Sequence, residues 1–470
     1  MRLAKNIFYF LGFITIIIIY SAISQGCAQI GAPTGGPKDT IPPNLTGAVP
    51  AQRTLNFTGN KIVLTFDEYV DLDNIQSNLL VSPYPKGRPT VTSKLKTVTI
   101  KLKDTLKANT TYALNFGKAI KDVNEGNIFK NFTYVFSTGN TIDSQEIKGN
   151  VIDAETGKVD STLEIYLYQN PNDSSVQKKK PDYIARVNGK GNFIFRYLPA
   201  GEFGMYALKD DDGSKTYNAK TEVFAFADSA INSATTKGRI KLYAYAEEIK
   251  SKTAAKSLLP PKPSKDKEAK KLKFKTSVAG GANQDLLSPF EIDFSHEFKN
   301  IDSQKISITD TLFNPLNTIL TVDSTRKKVL LQMDWTENTA YRFIIDTGFV
   351  SDSIGQHIAK TDTIKFKTKQ ESDYGSLALR FTNFDAAKHP VLLFIQNNVL
   401  VRSVPVTGTT WSDKLVPPGD YELRVLYDTN NDGMWTPGSY SKKRQPEKVI
   451  SFDKKLTIKA DWDNERDVEL

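Results

Sequence analysis

Residues 61–66 read Lys-Ile-Val-Leu-Thr-Phe, and their apolar side chains alternate with polar ones. In an extended strand this spacing places Ile62, Leu64 and Phe66 on one face. The same alternation recurs at 97–102, 111–116 and 132–137. Short period-two segments separated by turn residues are typical of half-buried strands. We recognise no amphipathic helix longer than about ten residues, so the sequence predicts an all-β fold.

Two internal repeats indicate that the chain contains a duplication. Three residues of the first repeat recur 228 to 230 positions later, namely Phe66 at Phe294, Tyr112 at Tyr341 and Phe136 at Phe366. A second repeat relates Leu-Pro-Ala-Gly201 to Val-Pro-Pro-Gly419, with 218 positions between the glycines. The nearly constant spacing predicts a pair of different domains that occurs twice.

Each repeat type resembles a known family. The first, through residues 64–69, 109–112 and 134–138, resembles bacterial Ig-like domains of the S-layer-protein class. The second, through residues 147–153 and 198–201, resembles prealbumin-like or carboxypeptidase-regulatory-like sandwiches. These resemblances imply modules for display and binding, and neither implies a reaction.

The predicted fold is therefore a tandem array of four β-sandwich domains, formed by a duplicated pair of an Ig-like and a prealbumin-like domain. The expected order is a signal peptide at 1–26, a Gly/Pro tether at 27–43, an Ig-like domain at 44–139, a prealbumin-like sandwich at 145–246, a Lys/Pro-rich linker at 247–270, a second Ig-like domain at 271–369, a second prealbumin-like sandwich at 373–460 and a tail at 461–470.

The positive charge is concentrated in one short stretch. The chain of 470 residues has a formal net charge of +9, and residues 250–273 contain nine lysines and two acidic residues. Nucleic-acid binding requires basic residues spread over a folded face, so we expect no nucleic-acid partner. Self-repulsion and prolines predict an extended, solvated linker, with contact to acidic headgroups as the alternative.

The single cysteine follows a signal-like segment. Arg2 and Lys5 precede an almost wholly apolar run at 7–20, and small residues lead up to Cys27. The run has the size of a signal-peptide core, although an uncleaved anchor is the alternative. Residues 27–43 resemble the start of Bacteroidota lipoproteins with Ig-like domains. The resemblance implies lipidation of Cys27 and a lipid-anchored location at the outer membrane, on the cell surface or the periplasmic face.

One loop resembles half of a calcium-binding motif. Residues 428–433 read Asp-Thr-Asn-Asn-Asp-Gly, which places oxygen ligands at Asp428, Asn430 and Asp432. The twelfth position, where such loops carry glutamate, is Ser439. The alternative is a turn in which Asn and Asp side chains bond their own backbone. Apart from this possible calcium ion, we expect no cofactor.

The sequence contains few residues in patterns typical of catalytic sites. The chain has three histidines, and they lie far apart in the sequence. We find no metalloprotease, serine-hydrolase or phosphate-loop motif. The sequence therefore predicts a protein that is not an enzyme.

The predicted function is a non-catalytic, membrane-anchored lipoprotein that binds or scaffolds a protein partner at the outer membrane. One alternative is an accessory subunit of an outer-membrane β-barrel assembly or transport complex. A second is a carbohydrate-binding surface protein, for which Trp411, Trp435 and Tyr440 would stack on a glycan if they are exposed.

Overall fold

A computed structural model describes residues 2–23, 38–169, 172, 174–248, 272–452 and 454–470. Strands account for 43% and helices for 7%, which confirms the predicted all-β class. The chain divides into two compact units, Met1–Asp143 and Ser144–Leu470. We number the sandwiches 1 to 4 in chain order; sandwich 1 lies in the first unit and the others in the second.

The first unit begins with a helix, α1 (Arg2–Ile23), before sandwich 1. The strands of sandwich 1 are β1 (Leu45–Val49), β2 (Lys61–Phe66), β3 (Val70–Leu72), β4 (Leu80–Ser82), β5 (Thr90–Lys94), β6 (Thr97–Lys101), β7 (Thr111–Asn115), β8 (Ile120–Asp122) and β9 (Thr133–Ser137), with a short helix α2 (Ile75–Asn78). Their sheet orders are β1-β2-β6-β5, β4-β7-β9 and β3-β8.

Alternation along these strands builds the core of sandwich 1 as predicted. Ile62, Leu64 and Phe66 are at most 1% exposed. They pack with Leu114 and Phe136 from the facing sheet. Each such side chain contributes about 1.5–3 kcal/mol when it leaves water.

The end of the predicted tether contacts sandwich 1. The amide nitrogen of Asn127 donates to the carbonyl oxygens of Asp39 and Ile41, and Pro43 is buried. Residues 38–43 thus lie against the sandwich, where two of their carbonyl groups accept hydrogen bonds from Asn127.

Sandwich 2 contains one parallel strand pair among its described strands, formed by its first and last strands, Gln145–Asp153 and Ile240–Ala244. Its strands are β10 (Gln145–Asp153), β11 (Glu164–Gln169), β12 (Tyr183–Arg186), β13 (Asn192–Leu198), β14 (Glu202–Leu208), β15 (Phe224–Phe226), β16 (Ile231–Asn232) and β17 (Ile240–Ala244), with a helix α3 (Ser175–Lys178). The orders are β13-β10-β17 and β12-β11-β14-β15, with β16 beside β14. A Cβ on Gly149 would lie 2.3 Å from the carbonyl oxygen of Ile240, so only glycine fits there.

Sandwich 3 repeats the topology of sandwich 1. Its strands are β18 (Phe274–Thr276), β19 (Phe290–Phe294), β20 (Asn300–Ile301), β21 (Ile306–Thr309), β22 (Ile319–Val322), β23 (Lys328–Gln332), β24 (Ala340–Ile345), β25 (Val350–Ser351) and β26 (Asp362–Lys367). The orders β18-β19-β23-β22, β21-β24-β26 and β20-β25 match those of sandwich 1 strand for strand.

Sandwich 4 repeats sandwich 2 in the same way. Its strands are β27 (Gly375–Thr382), β28 (Pro390–Gln396), β29 (Val399–Pro405), β30 (Thr410–Val416), β31 (Gly419–Tyr427), β32 (Val449–Ser451), β33 (Leu456–Ile458) and β34 (Asp463–Glu469). The orders are β30-β27-β34 and β29-β28-β31-β32, with β33 beside β31. Gly201 and Gly419, the matched glycines of the repeat, have φ values of 151° and 155°. The duplication is confirmed.

One predicted boundary is wrong. Residues 461–470 were expected to form a tail, but β34 pairs in parallel with β27 from Ser376–Asp463 to Thr382–Glu469. The sequence pattern did not predict β34, because most of its side chains are charged and only Val468 is buried. The remaining predicted boundaries stay predictions.

Candidate functional site

The Asp-rich turn after β31 is held by one buried carboxylate. Asp428 is 3% exposed, and its Oδ2 accepts the N–H of Gly433 at 2.7 Å. Its Oδ1 accepts the N–H of Asp432 at 3.3 Å. Gly433 has φ 73°, a conformation that favours glycine, as the motif predicts. The carboxylate of Asp428 therefore fixes the path of the loop at 428–448, which we call the docking loop.

The other two predicted calcium ligands also bond within the loop. The amide nitrogen of Asn430 donates to Oδ2 of Asp432 at 3.0 Å, and Oδ1 of Asp432 accepts the N–H of Met434 at 2.8 Å. Calcium prefers six to eight oxygen ligands, whereas these side chains bond to each other and to the backbone of the loop. Over the described ranges, no group of three or more His, Cys, Asp or Glu side chains is placed to hold a metal ion. The calcium site stays a prediction, and the geometry is that of the alternative Asx turn.

A second buried carboxylate closes the docking loop. Glu447 is 6% exposed, and its Oε1 accepts both the N–H and the hydroxyl of Thr429 at 2.7 Å. Its Oε2 accepts the N–H of Thr436 at 2.9 Å. In sandwich 2, Glu222 likewise accepts two backbone N–H groups at 3.0 Å. We did not identify these glutamates from the sequence, although each lies two residues before the strand that follows the Asp-rich turn.

Tyr440, at the tip of the docking loop, lies in an aromatic cage on sandwich 2. Its side chain is 4% exposed. The rings of the cage lie 5.2–6.2 Å away, centroid to centroid, and belong to Tyr206, Tyr217, Phe224 and Phe226. All four contacts approach edge to face, which the ring quadrupole favours. Sandwiches 2 and 4 are therefore docked, although sandwich 3 separates them in the sequence.

Glu247 supplies the polar part of this contact. Its Oε1 accepts the N–H of Tyr440 at 3.0 Å and the hydroxyl of Tyr217 at 2.9 Å, and its Oε2 accepts the hydroxyl of Ser439 at 3.2 Å. Burial, and then the Glu247 carboxylate, raise the pKa of the Tyr217 hydroxyl, so it remains a donor at neutral pH. The predicted linker at 247–270 thus begins with a residue that belongs to the contact.

A second set of polar contacts joins the same two sandwiches. The guanidinium of Arg424, which is 4% exposed, donates to the carbonyl oxygen of Glu155 at 3.3 Å and pairs with Glu422 at 2.6 Å. The hydroxyl of Ser451 donates to the carbonyl oxygen of Thr156 at 2.7 Å. With these bonds, β31 and β32 of sandwich 4 contact the turn after β10 of sandwich 2.

The three aromatic residues that would bind a glycan are packed or hydrogen-bonded within the protein. Tyr440 fills the cage on sandwich 2, Trp411 packs beside Phe394 with ring centroids 5.7 Å apart, and the indole N–H of Trp435 donates to the carbonyl oxygen of Glu447. They do not form a common exposed platform. The residues that motivated the glycan alternative therefore serve the fold.

The predicted lipidation site, Cys27, lies outside the described residues, as does most of the predicted linker. Helix α1 precedes it, and the residues at 10–21 are exposed. Among the described segments, no helix combines the length and the apolar character that crossing a bilayer requires.

Comparison with known proteins identifies one domain by sequence. No curated protein matches the chain. The major pilin subunit BcpA of Bacillus cereus is 12% identical, with 69% of this chain and 99% of that chain covered and a TM-score of 0.16. The N-terminal part of the bacterial S-layer protein SbsC is 16% identical, with 44% of each chain covered and a TM-score of 0.16. Neither similarity indicates a function at these scores. Residues 39–138, which include the strands of sandwich 1, match the family model of the bacterial Ig-like domain.

Proposed function

We propose that this protein is a non-catalytic lipoprotein, anchored through Cys27 at the outer membrane, which scaffolds a protein partner. The observation that carries the scaffolding role is the docked pair of sandwiches 2 and 4. The buried Tyr440 and the bonded Glu247 give this contact both apolar packing and satisfied polar groups. A contact of that kind holds the loops of two domains in one arrangement, which lowers the entropy lost when a partner binds.

The anchor is supported by sequence features alone. Basic residues, an apolar run and small residues precede Cys27, in the order typical of a lipoprotein signal. Two or more acyl chains on this cysteine would give stable attachment, since each buried methylene contributes about 0.8 kcal/mol. Attachment to a membrane would place the sandwiches near other membrane proteins without any catalytic step.

Labelling of cells with radioactive palmitate tests the anchor. We expect label on the wild-type chain and none on Cys27→Ala, while Ser21→Ala, which keeps the cysteine, remains labelled. An unlabelled wild-type chain, or label that persists in Cys27→Ala, would refute the anchor.

Co-purification tests the partner. After detergent solubilisation, we expect a membrane protein to purify with the wild-type chain and to be lost with Tyr440→Ala, which weakens the contact between sandwiches 2 and 4. Recovery of a β-barrel complex would identify the chain as an accessory subunit. Equal recovery with both chains would show that the docked pair is not the scaffold.

A further inference from the structure

Sandwich 3 has an open sheet edge along β26. This strand is the last of the sheet β21-β24-β26. On its outer side, the N–H of Gln284 donates to the carbonyl oxygen of Lys367 at 2.8 Å, and the N–H of Lys369 donates to Gln284 at 2.9 Å. In an antiparallel ladder alternate residues face the same neighbour, so Thr363 and Lys365 also direct their backbone groups to this side. Within the described ranges, no strand accompanies them there.

Sandwich 1 closes the equivalent edge with its own chain. The N–H of Arg53 donates to the carbonyl oxygen of Val135 at 2.8 Å, and the N–H of Ser137 donates to Thr54 at 2.9 Å. The N–H of Phe57 then donates to Ser137 at 2.9 Å. Residues 53–57 therefore run beside β9 and bond to it, although Arg53 and Asn56 have φ values of 64° and 51° and the segment is not a regular strand. The duplicated fold can accommodate such a segment at this edge.

The corresponding segment of sandwich 3 takes another path. After β18 the chain turns through a 3-10 segment at Ala279–Gly281 and reaches the edge only at Gln284. A groove of about 550 Å³ remains between β18 and β26. Leu272, Phe274 and Ile364 line it with apolar groups. The groove thus lies where sandwich 1 places its own chain.

The groove has one buried polar group without a partner and a positively charged rim. Thr276 is 8% exposed, and its hydroxyl has no hydrogen-bond partner among the described residues. The charged residues that line the groove are Lys273, Lys275, Lys360 and Lys365, with Asp362 as the one acid. The excess of positive charge favours an acidic occupant.

We propose that this groove accepts an extended acidic peptide segment of a partner protein, which adds to β26 as a further strand. Backbone hydrogen bonds to Thr363 and Lys365 would hold the segment, as in other cases of strand addition. Apolar side chains of the segment would face Phe274 and Ile364, and its alternate acidic side chains would face the lysines. The proposal goes beyond the scaffold described above and holds whether or not Cys27 is acylated.

Fluorescence anisotropy with the full chain tests the proposal. The probe is a labelled peptide of about eight alternating Glu and Val residues, the length of a longer strand. We expect saturable binding that weakens with added salt, and no binding of a Lys-Val peptide. Replacement of the central valines with proline should abolish binding, because proline cannot donate to the ladder.

Charge-reversal variants locate the site. We expect Lys365→Glu to weaken binding about tenfold, since it turns attraction into repulsion. Lys299→Glu is the matched control, because it makes the same charge change at an exposed residue of sandwich 3 outside the groove. Lys275→Glu repeats the test on β18, and circular dichroism verifies that each variant is folded.

Three results would overturn the proposal. The first is an absence of binding. In that case the lysines would only prevent the open edge from pairing with the edge of another sheet. The second is equal binding of the acidic and the proline-substituted peptides. The third is unchanged affinity in both Lys365→Glu and Lys275→Glu.

Discussion

Replacement of Tyr440 with alanine should open the contact between sandwiches 2 and 4. The side chain is 4% exposed and lies among four aromatic rings. Truncation of a buried aromatic residue to alanine removes its transfer free energy and leaves a cavity, at a cost of about 3–5 kcal/mol. The N–H bond from Tyr440 to Glu247 involves the backbone, so the variant does not remove it directly. We therefore expect the contact to lose about 3–5 kcal/mol of its stability.

Hydrogen exchange measures this change locally. If the docking loop exchanges through opening of the contact, its amides should exchange about 10²- to 4 × 10³-fold faster in Tyr440→Ala, since each 1.4 kcal/mol is a factor of ten. Peptides from β9 of sandwich 1 belong to the other compact unit and serve as the internal reference. Their exchange should not change.

Tyr440→Phe separates packing from hydrogen bonding. The phenylalanine ring retains the cage contacts and loses the hydroxyl, which donates to the Tyr206 hydroxyl at 3.3 Å. We expect a cost of about 0.5–1.5 kcal/mol. Unchanged exchange in Tyr440→Ala, or equal effects of the two substitutions, would refute the conclusion that aromatic packing holds the contact.

Four further predictions concern individual residues. Glu447→Ala should cost sandwich 4 about 2–3 kcal/mol in urea unfolding, because it removes the acceptor of three hydrogen bonds. Gly149→Ala should cost about 1–3 kcal/mol through overpacking, whereas Gly189→Ala, whose Cβ would contact nothing within 4 Å, should cost less. Burial raises the pKa of the Asp122 carboxyl, but three backbone N–H donors outweigh it and hold the pKa below its usual value. The folded-state pKa is thus the lower one, so sandwich 1 should lose stability as the pH falls below about 4, and Asp122→Asn should lessen that loss in urea unfolding across this range. Calcium binding at the docking loop, if present, should raise the thermal midpoint of the wild-type chain at millimolar calcium but not that of Asp432→Ala.

The strands of the cores were predictable because their signal is local. Ile62, Leu64 and Phe66 alternate with polar residues, and all three are buried. The strand β34 was not predictable in this way, because only Val468 of its side chains is fully buried. Its position is fixed by backbone pairing with β27, and its sequence, Asp-Asn-Glu-Arg-Asp-Val-Glu, has no alternation of apolar and polar residues.

The candidate site was predictable only in part. The Asp428 turn was identified from its residue types, since Asp and Asn at this spacing bond their own backbone. The role of Glu447 depends on the return of the docking loop to Thr429 and Thr436. The role of Tyr440 depends on a cage that includes Tyr206, 234 residues earlier. A local sequence pattern does not indicate either contact, because the partners are far apart in the sequence.

The sequence alone determined the β class and the duplication, because period-two alternation and a constant repeat spacing are properties of the linear chain. The tertiary structure alone decided which sheet edges are closed and which sandwiches dock. Sandwiches 1 and 3 share one strand order, yet residues 53–57 bond to β9, whereas in the described part of the chain only Gln284 bonds to the outer edge of β26 and no strand pairs there. These outcomes depend on contacts between residues that are distant in the chain, and such contacts form only when the complete domains have packed.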